Sequence, residues 1–150
     1  MLNGKVILVT GASRGIGRAT AKLLAENGAR VIINYNGSES TAKETVDELT
    51  AKGFEVSMFK ADVSNEDEVK QLFLYVKEKY GRLDVLINNA GIMKSNLVPM
   101  TSTIEFQQLC DINCRGVFLC TRLFCAVLKL FIRIPVPPSH AQSSPHSCLE

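Results

Sequence analysis

The sequence predicts an α/β fold, a doubly wound parallel sheet with helices on both faces. Two observations lead to this prediction. Over residues 1–90, short apolar runs alternate with amphipathic helical patterns, and only short links separate them. Strands that are connected through helices run parallel, and right-handed crossovers place the helices on both faces of the sheet.

Four apolar runs are predicted to be the strands: residues 5–10, 30–34, 54–61 and 83–88. The fourth run is apolar on both of its faces. That pattern is typical of a central parallel strand, which helices cover from both sides. We therefore expect helices on both faces of the fourth strand.

Three helices are predicted to separate these strands, at residues 15–27, 41–52 and 64–81. Thr41 with Glu44 matches a capping box at the start of the second helix, and Ser64 with Asp67 is predicted to cap the third. Gly28, Gly53 and Gly81 are predicted to end them. The apolar spacing predicts these buried faces: Ile16, Ala19, Leu23 and Leu24; Ala42, Val46 and Leu49; Val69, Leu72, Phe73 and Val76.

Residues 103–131 are predicted to be helical, in two segments that meet near Asn113. The second segment is apolar nearly all round, so we expect it to be buried. At residues 133–150 the composition changes to proline and serine, which predicts a disordered tail. The predicted organisation is therefore a domain over residues 1–132 followed by a tail over residues 133–150.

The bulk composition excludes several classes of protein. Seventeen basic and 15 acidic residues give a net charge of +2, too even to indicate a nucleic-acid or membrane-surface partner. The longest apolar stretch, residues 117–132, contains Arg122 and Lys129 and is too short to span a bilayer. No secretory pattern begins the chain, so we expect a cytoplasmic protein. Five irregularly spaced cysteines do not predict a metal site, although Cys110 and Cys114 lie one helical turn apart.

The strongest motif lies between the first strand and the first helix, where a phosphate-binding loop is expected. It reads Thr-Gly-Ala-Ser-Arg-Gly-Ile-Gly at residues 10–17. Gly11 permits a tight turn, Gly15 lets the backbone approach a diphosphate, and Gly17 lets the helix lie close to the sheet. The helix amino end supplies free N–H groups for the phosphates. The predicted binding residues of this loop are Gly11, Ser13, Arg14, Gly15, Ile16 and Gly17.

The first two glycines are four positions apart, and this spacing resembles that of the classical short-chain dehydrogenase/reductase family. The resemblance continues in Asp62-Val63, in Asn88-Asn89-Ala90-Gly91, and in Asn113 followed by Gly116-Val117-Phe118. It covers residues 3–130. The chain looks most like the 3-oxoacyl-[acyl-carrier-protein] reductase group, and glucose and sugar-alcohol dehydrogenases of the same family also resemble it. It implies a Rossmann-type sheet and hydride transfer between NADP or NAD and a carbonyl substrate, such as an acyl thioester.

The resemblance also implies residue roles. Asp62 would bind the adenine ring with Val63 beside it, and Asn89, Ala90 and Gly91 would lie along the ribose and nicotinamide. Asn113 would be the catalytic Asn that holds a water in a proton relay. The alternatives are that Asp62 is a turn residue and that Asn113 only bends its helix.

Cofactor choice follows from the charges near the second strand. An acidic residue after this strand accepts the ribose hydroxyls of NAD and repels a 2′-phosphate. Here the residues are Asn34, Tyr35 and Asn36, and the first acid is Glu39. Arg14 offers a positive charge to the phosphate, unless it is only a solvated surface residue. The sequence therefore favours NADP over NAD, with Asn36 among the binding residues.

The resemblance further implies a Ser and a Tyr-x-x-x-Lys pair after the Asn helix, and three more strands. The only tyrosines are Tyr35, Tyr75 and Tyr80, all before Asn113. Tyr75 and Lys79 have the required spacing, but they lie on the helix before the fourth strand, and we interpret them as a surface pair. We therefore expect an incomplete catalyst, with a fold truncated after the fourth strand and its following helices through truncation, frameshift or an alternative terminal segment. In such a fold the fourth strand has an unprotected edge and the apolar helix that starts at Val117 loses its covering. The alternative is a non-catalytic nucleotide-binding or subunit-interaction fragment, forming homo- or hetero-oligomers through the helices after the fourth strand.

Overall fold

The computed structural model describes residues 2–131, with four parallel strands in the order β3-β2-β1-β4. The strands are β1 Val6–Val9, β2 Arg30–Tyr35, β3 Val56–Lys60 and β4 Val85–Ile87. The helices are α1 Gly15–Glu26, α2 Glu39–Ala51, α3 Glu66–Tyr80, α4 Thr103–Cys110 and α5 Gly116–Phe131. A 3₁₀ turn spans Val98–Met100 and a π-helical turn spans Asp111–Arg115. The predicted Rossmann-type fold class is confirmed, and the predicted tail, residues 133–150, lies outside the described residues.

The central strands are buried on both faces because helices cover each side. Ile7 and Val9 face α1 and α2 in one apolar cluster, and Val6 and Leu8 face α3 and α5 in the other. This alternation follows from the two-residue period of a strand. The described residues therefore form three layers, with the sheet between two layers of helices.

The buried face of α1 differs from the predicted one. Ile16 is 80% exposed and Leu23 is 62% exposed, whereas Gly17, Ala21 and Ala25 are buried. A Cβ atom at Gly17 would lie only 2.8 Å from the carbonyl oxygen of Gly11. The helix therefore lies so close to the sheet that only small residues fit between them. Of the predicted face, Leu24 packs against the apolar cluster, whereas Ile16, Ala19 and Leu23 are exposed, so the prediction was right only for Leu24.

Two predicted helix starts were also wrong. Helix α2 begins at Glu39, so Thr41 lies inside its first turn and does not cap it. Helix α3 is capped by Asn65, whose side chain accepts hydrogen bonds from the N–H groups of Asp67 and Glu68. The Ser64 hydroxyl instead donates to Asp62. The predicted buried face of α3 and its end at Gly81 are confirmed.

Within the described residues, the β4–α5 part has the open edge expected of the truncated fold. Strand β4 lies at one edge of the described sheet, and Val85 is 37% exposed. Leu119 and Cys120 of α5 are buried, but Phe118 is 60% exposed, so this helix is covered on one side only. The predicted junction near Asn113 is confirmed as the π-helical turn. Within residues 2–131, no helix has both the length and the apolar character needed to cross a membrane.

Candidate cofactor-binding site

A cleft of about 330 Å³ opens where the chain leaves the carboxyl ends of the four strands. Ligands of open α/β sheets bind at this edge. The cleft is lined by Gly11, Arg14, Ile16, Gly17, Asn34, Asn36, Ala61, Asp62, Val63, Asn89, Ala90, Gly91, Ile92 and Ile112. The fold therefore brings together every residue predicted to bind the cofactor except Ser13 and Gly15.

The glycine loop is shaped by contact with the segment after β4. Gly11 has a φ of +62°, and a Cβ atom there would lie 2.7 Å from the Cα atom of Ala90. Gly15 has a φ of +56° and nothing within 4 Å of its missing Cβ atom, so its requirement for glycine is conformational. Ser13 is buried, and its side chain does not line the cleft.

The amino end of α1 differs from those of α2, α3 and α4. Its first turn contains no acidic residue, and its cap residue, Arg14, makes no side-chain capping hydrogen bond, which is otherwise true only of the α2 cap, Ser38, among these four helices. Each of the other three helices has at least one acidic residue in its first turn. The first N–H groups of a helix need acceptors, and the dipole favours an anion there. This end of α1 therefore suits an anionic group such as a diphosphate.

Two buried polar side chains hold the edge of the cleft together. The amide of Asn34 accepts from the N–H of Gly11 at 3.3 Å and donates to the carbonyl of Ala61 at 2.9 Å. The hydroxyl of Thr10 accepts from the N–H groups of Asn89 and Ala90, each at 3.0 Å. Sequence reasoning missed these positions, although a polar residue that ends an apolar strand is a signal for such a contact.

Asp62 lies in a hydrogen-bonded group at the end of β3. One carboxylate oxygen accepts from the hydroxyl of Ser64 at 2.6 Å, and the other accepts from the side-chain amide of Asn36 at 3.1 Å. The N–H of Asp62 donates to Glu68 at 2.8 Å. These contacts connect the segments that follow β2 and β3. They fit a turn role for Asp62 as well as a binding role.

Asn113 is engaged by the backbone of the segment after β4. Its side-chain oxygen accepts from the N–H of Ile92, and its side-chain nitrogen donates to the carbonyl of Ile92, each at 2.9 Å. Asn113 lies within the π-helical turn, and a Cβ atom at Gly91 would be 3.2 Å from its side-chain oxygen. Asn113 therefore positions one wall of the cleft. Its predicted role in holding a water stays a prediction.

The Tyr75–Lys79 pair lies on α3 and does not line the cleft. Lys79 donates to the hydroxyl of Tyr75 at 3.0 Å, and this hydrogen bond raises the pKa of Lys79 despite partial burial. The Tyr75 ring packs on Phe59 of the edge strand β3, with 4.9 Å between ring centroids. The pair therefore covers an edge of the sheet.

Most of this chain is similar in sequence to known reductases. It is 46% identical over 132 residues to a 3-oxoacyl-[acyl-carrier-protein] reductase of Synechocystis, covering 88% of this chain and 52% of the relative. A trihydroxynaphthalene reductase of Colletotrichum orbiculare is 41% identical over 121 residues, covering 81% of this chain and 43% of the relative. The chain therefore spans about half the length of these relatives.

Solved structures show the same arrangement of strands and helices. A short chain dehydrogenase from Burkholderia cenocepacia in complex with NADP superposes with a TM-score of 0.81 at 35% identity, covering 84% of this chain and 51% of that one. Residues 5–132 match the family model for short chain dehydrogenase. With the strand order, the glycine loop and the cleft already described, this match means that the chain belongs to the short chain dehydrogenase family.

Proposed function

We propose that this chain binds NADP(H) in the cleft, with Gly11 to Gly17 and the amino end of α1 holding the diphosphate. The observation that carries the proposal is that this helix end has neither a side-chain cap nor an acidic residue in its first turn. The cleft's glycines permit close backbone approach on the same side. A bound nicotinamide would supply the hydride for a carbonyl carbon.

The charges around the cleft favour NADP over NAD. Arg14 lines the cleft and forms no ion pair with any residue in the range 2–131, so its charge is available to a 2′-phosphate. The residue after β2 is Asn36, and the first acid, Glu39, is in the first turn of α2. No carboxylate is therefore in the place where NAD-binding sheets hold the ribose hydroxyls.

Titration calorimetry with NADPH and NADH tests this assignment. Replacing Arg14 by Ala should weaken NADPH binding by about tenfold, the effect of losing roughly 1.4 kcal/mol of charge pairing, and should change NADH binding little. Arg18→Ala is the matched control, because Arg18 lies one turn later and pairs with Glu48 instead. The proposal fails if the folded protein binds neither nucleotide.

The reaction we propose for this fold is NADP-dependent reduction of a carbonyl, with a 3-oxoacyl thioester as the substrate class. The reductase named above, identical at 46% of 132 aligned residues, supports the substrate class. The clamp between Asn113 and Ile92 would position the wall of the cleft against which the substrate is reduced. Cytoplasmic localisation remains our expectation.

We further propose that the 150-residue polypeptide by itself turns over little or no substrate. The family resemblance implies a Tyr after the Asn helix as the general acid, and no Tyr follows Asn113 in these residues. An assay with NADPH and a short 3-oxoacyl thioester, alongside a full-length reductase, measures this directly. Turnover near that of the full-length enzyme would contradict the proposal.

A non-catalytic role as a subunit-interaction protein is the second candidate. It is favoured by apolar side chains on α4 and α5, since Ile104 is 72% exposed and Phe106 and Phe118 are each 60% exposed. Patches of this kind mark contact surfaces between subunits. Co-purification with a full-length reductase, lost in a Phe106→Ser/Phe118→Ser double variant that still binds NADPH, would support this role.

A further inference from the structure

The chain contains three Asn-Gly pairs, at residues 3–4, 27–28 and 36–37. In such a pair the glycine nitrogen can attack the side-chain amide carbon of the asparagine, because glycine has no Cβ atom to obstruct the approach. The attack requires a backbone N–H that is free of other contacts. The three pairs share the same two residues, so differences between them come mainly from the structure around them.

In two of the pairs the glycine nitrogen is already engaged. The Gly4 N–H donates to the carbonyl of Gly28 at 3.1 Å, and the Gly28 N–H donates to the carbonyl of Ala25 at 2.9 Å. The side chain of Asn27 also donates to the carbonyl of Leu23 at 2.8 Å. These hydrogen bonds engage both glycine N–H groups and keep the nitrogens from attacking the asparagine side-chain carbon.

The third pair is open. Asn36 and Gly37 are both exposed, in the bend between β2 and α2. The Gly37 N–H donates to no acceptor within residues 2–131, and no heavy atom lies within 4 Å of its missing Cβ position. The side chain of Asn36 makes one solvent-exposed hydrogen bond, to Asp62. We propose that Asn36 is a site of spontaneous deamidation that places a carboxylate in the cofactor cleft.

The reaction needs only water. The Gly37 nitrogen loses its proton and bonds to the side-chain carbonyl carbon of Asn36, and the C–N bond to the side-chain nitrogen breaks, releasing ammonia. Water then opens the resulting cyclic imide at either carbonyl, which yields aspartate or isoaspartate. Nothing is oxidised or reduced, and a neutral amide becomes a negatively charged carboxylate.

The new carboxylate would act on the cleft in two ways. It would face Asp62, whose carboxylate oxygen now accepts a hydrogen bond from the Asn36 amide nitrogen at 3.1 Å. After deamidation, two carboxylates would repel each other there. It would also supply the acid after β2 that accepts ribose hydroxyls and repels a 2′-phosphate. This consequence, unlike the deamidation itself, rests on the proposed binding of NADP(H).

Peptide mapping by mass spectrometry, after incubation of the folded chain at mildly alkaline pH, tests the chemistry without any cofactor. Asn36 should convert faster than Asn3 and Asn27, and the difference should shrink in concentrated urea, where all three pairs are exposed. Gly37→Ala should slow conversion of Asn36 without strain, since the site is open and its φ is not in the left-handed region. Equal rates in the folded protein, or an advantage of Asn36 that persists unchanged in urea, would overturn the inference.

Calorimetry then tests the consequence. The Asn36→Asp variant and the deamidated protein should both bind NADPH roughly tenfold or more weakly than the unmodified chain, the effect of about 1.4 kcal/mol of repulsion, with NADH binding retained or improved. Gly37→Ala should bind NADPH like the unmodified chain. If the unmodified chain binds no NADPH, the proposed function fails while the deamidation result stands. If it binds NADPH and Asn36→Asp binds it equally well, the effect on the cleft is refuted.

Discussion

The β1–α3 part and the β4–α5 part of this chain are enclosed to different degrees, although β1 and β4 both consist of Val, Leu and Ile. Every residue of β1 is buried, whereas Val85 of β4 is 37% exposed and its two strand neighbours are half-buried. Strand β1 has a strand on each side and helices on both faces, and β4 has one strand neighbour in the described sheet. The difference shows that burial depends on the number of neighbouring elements more than on the residue type.

The largest expected effect comes from a pair of leucines that face each other in register, Leu8 of β1 and Leu86 of β4. Leu8→Ala should lower the free energy of unfolding by about 2–5 kcal/mol, because a fully buried side chain leaves a cavity. Leu86→Ala should lower the free energy of unfolding clearly less, since this side chain is only partly buried. Urea unfolding of both variants measures the difference, and equal losses would contradict the comparison.

The contact of Gly11 with Ala90 joins the two parts. A substitution at Gly11 has two costs, backbone strain and a clash with Ala90, and Gly15 serves as a matched position where only the first applies. Gly11→Ala combines left-handed strain, about 1–2 kcal/mol, with a clash against Ala90. Gly15→Ala has a similar φ and no nearby atoms, so only the strain remains. We therefore expect Gly11→Ala to lose more stability in thermal melts and to abolish nucleotide binding. Identical melting shifts would show that the two parts are not in close contact here.

A smaller effect is expected within the β4–α5 part itself. Asn113→Ala removes both hydrogen bonds to Ile92, which are exposed, so the loss in free energy of unfolding should be about 1 kcal/mol. Amide hydrogen exchange at Ile92 should become faster. The control is Asn88→Ala, which removes a single side-chain hydrogen bond to Thr121 and should leave Ile92 unaffected. Unchanged protection of Ile92 in Asn113→Ala would argue against the clamp.

A pH-dependent effect is expected at the place where α5 packs on the core. Burial raises the pKa of the Cys120 thiol from 9.0 to about 11. Because the folded pKa is the higher one, the stability gained is fully present below pH 9.0 and is lost as the pH rises to about 11. Stability should fall less over this interval in Cys120→Ala than in the exposed control Cys125→Ala. Parallel pH profiles for the two variants would show that the Cys120 side chain of α5 is not buried against the core.

Some residues of the candidate site could be predicted from the sequence, and others could not. Gly11, Gly15 and Gly17 could be recognised because only glycine suits a turn with positive φ or a place where two backbone segments come into close contact. Asn34 was not recognised, since its partners Gly11 and Ala61 lie 23 and 27 residues away along the chain. Local patterns report conformation, but they do not report which distant backbone groups a side chain will meet.

By itself, the sequence determined the alternation of strands and helices, the glycine loop and the buried face of α3. These are local properties, because strand and helix periods and turn conformations are set by residues near one another in the chain. Only the tertiary structure decided that α1 turns Gly17, Ala21 and Ala25 inward while Ile16 stays exposed, and that Asn113 holds Ile92. The distance between the helix layer and the sheet determines which side chains fit there, and that distance depends on all the elements that pack together.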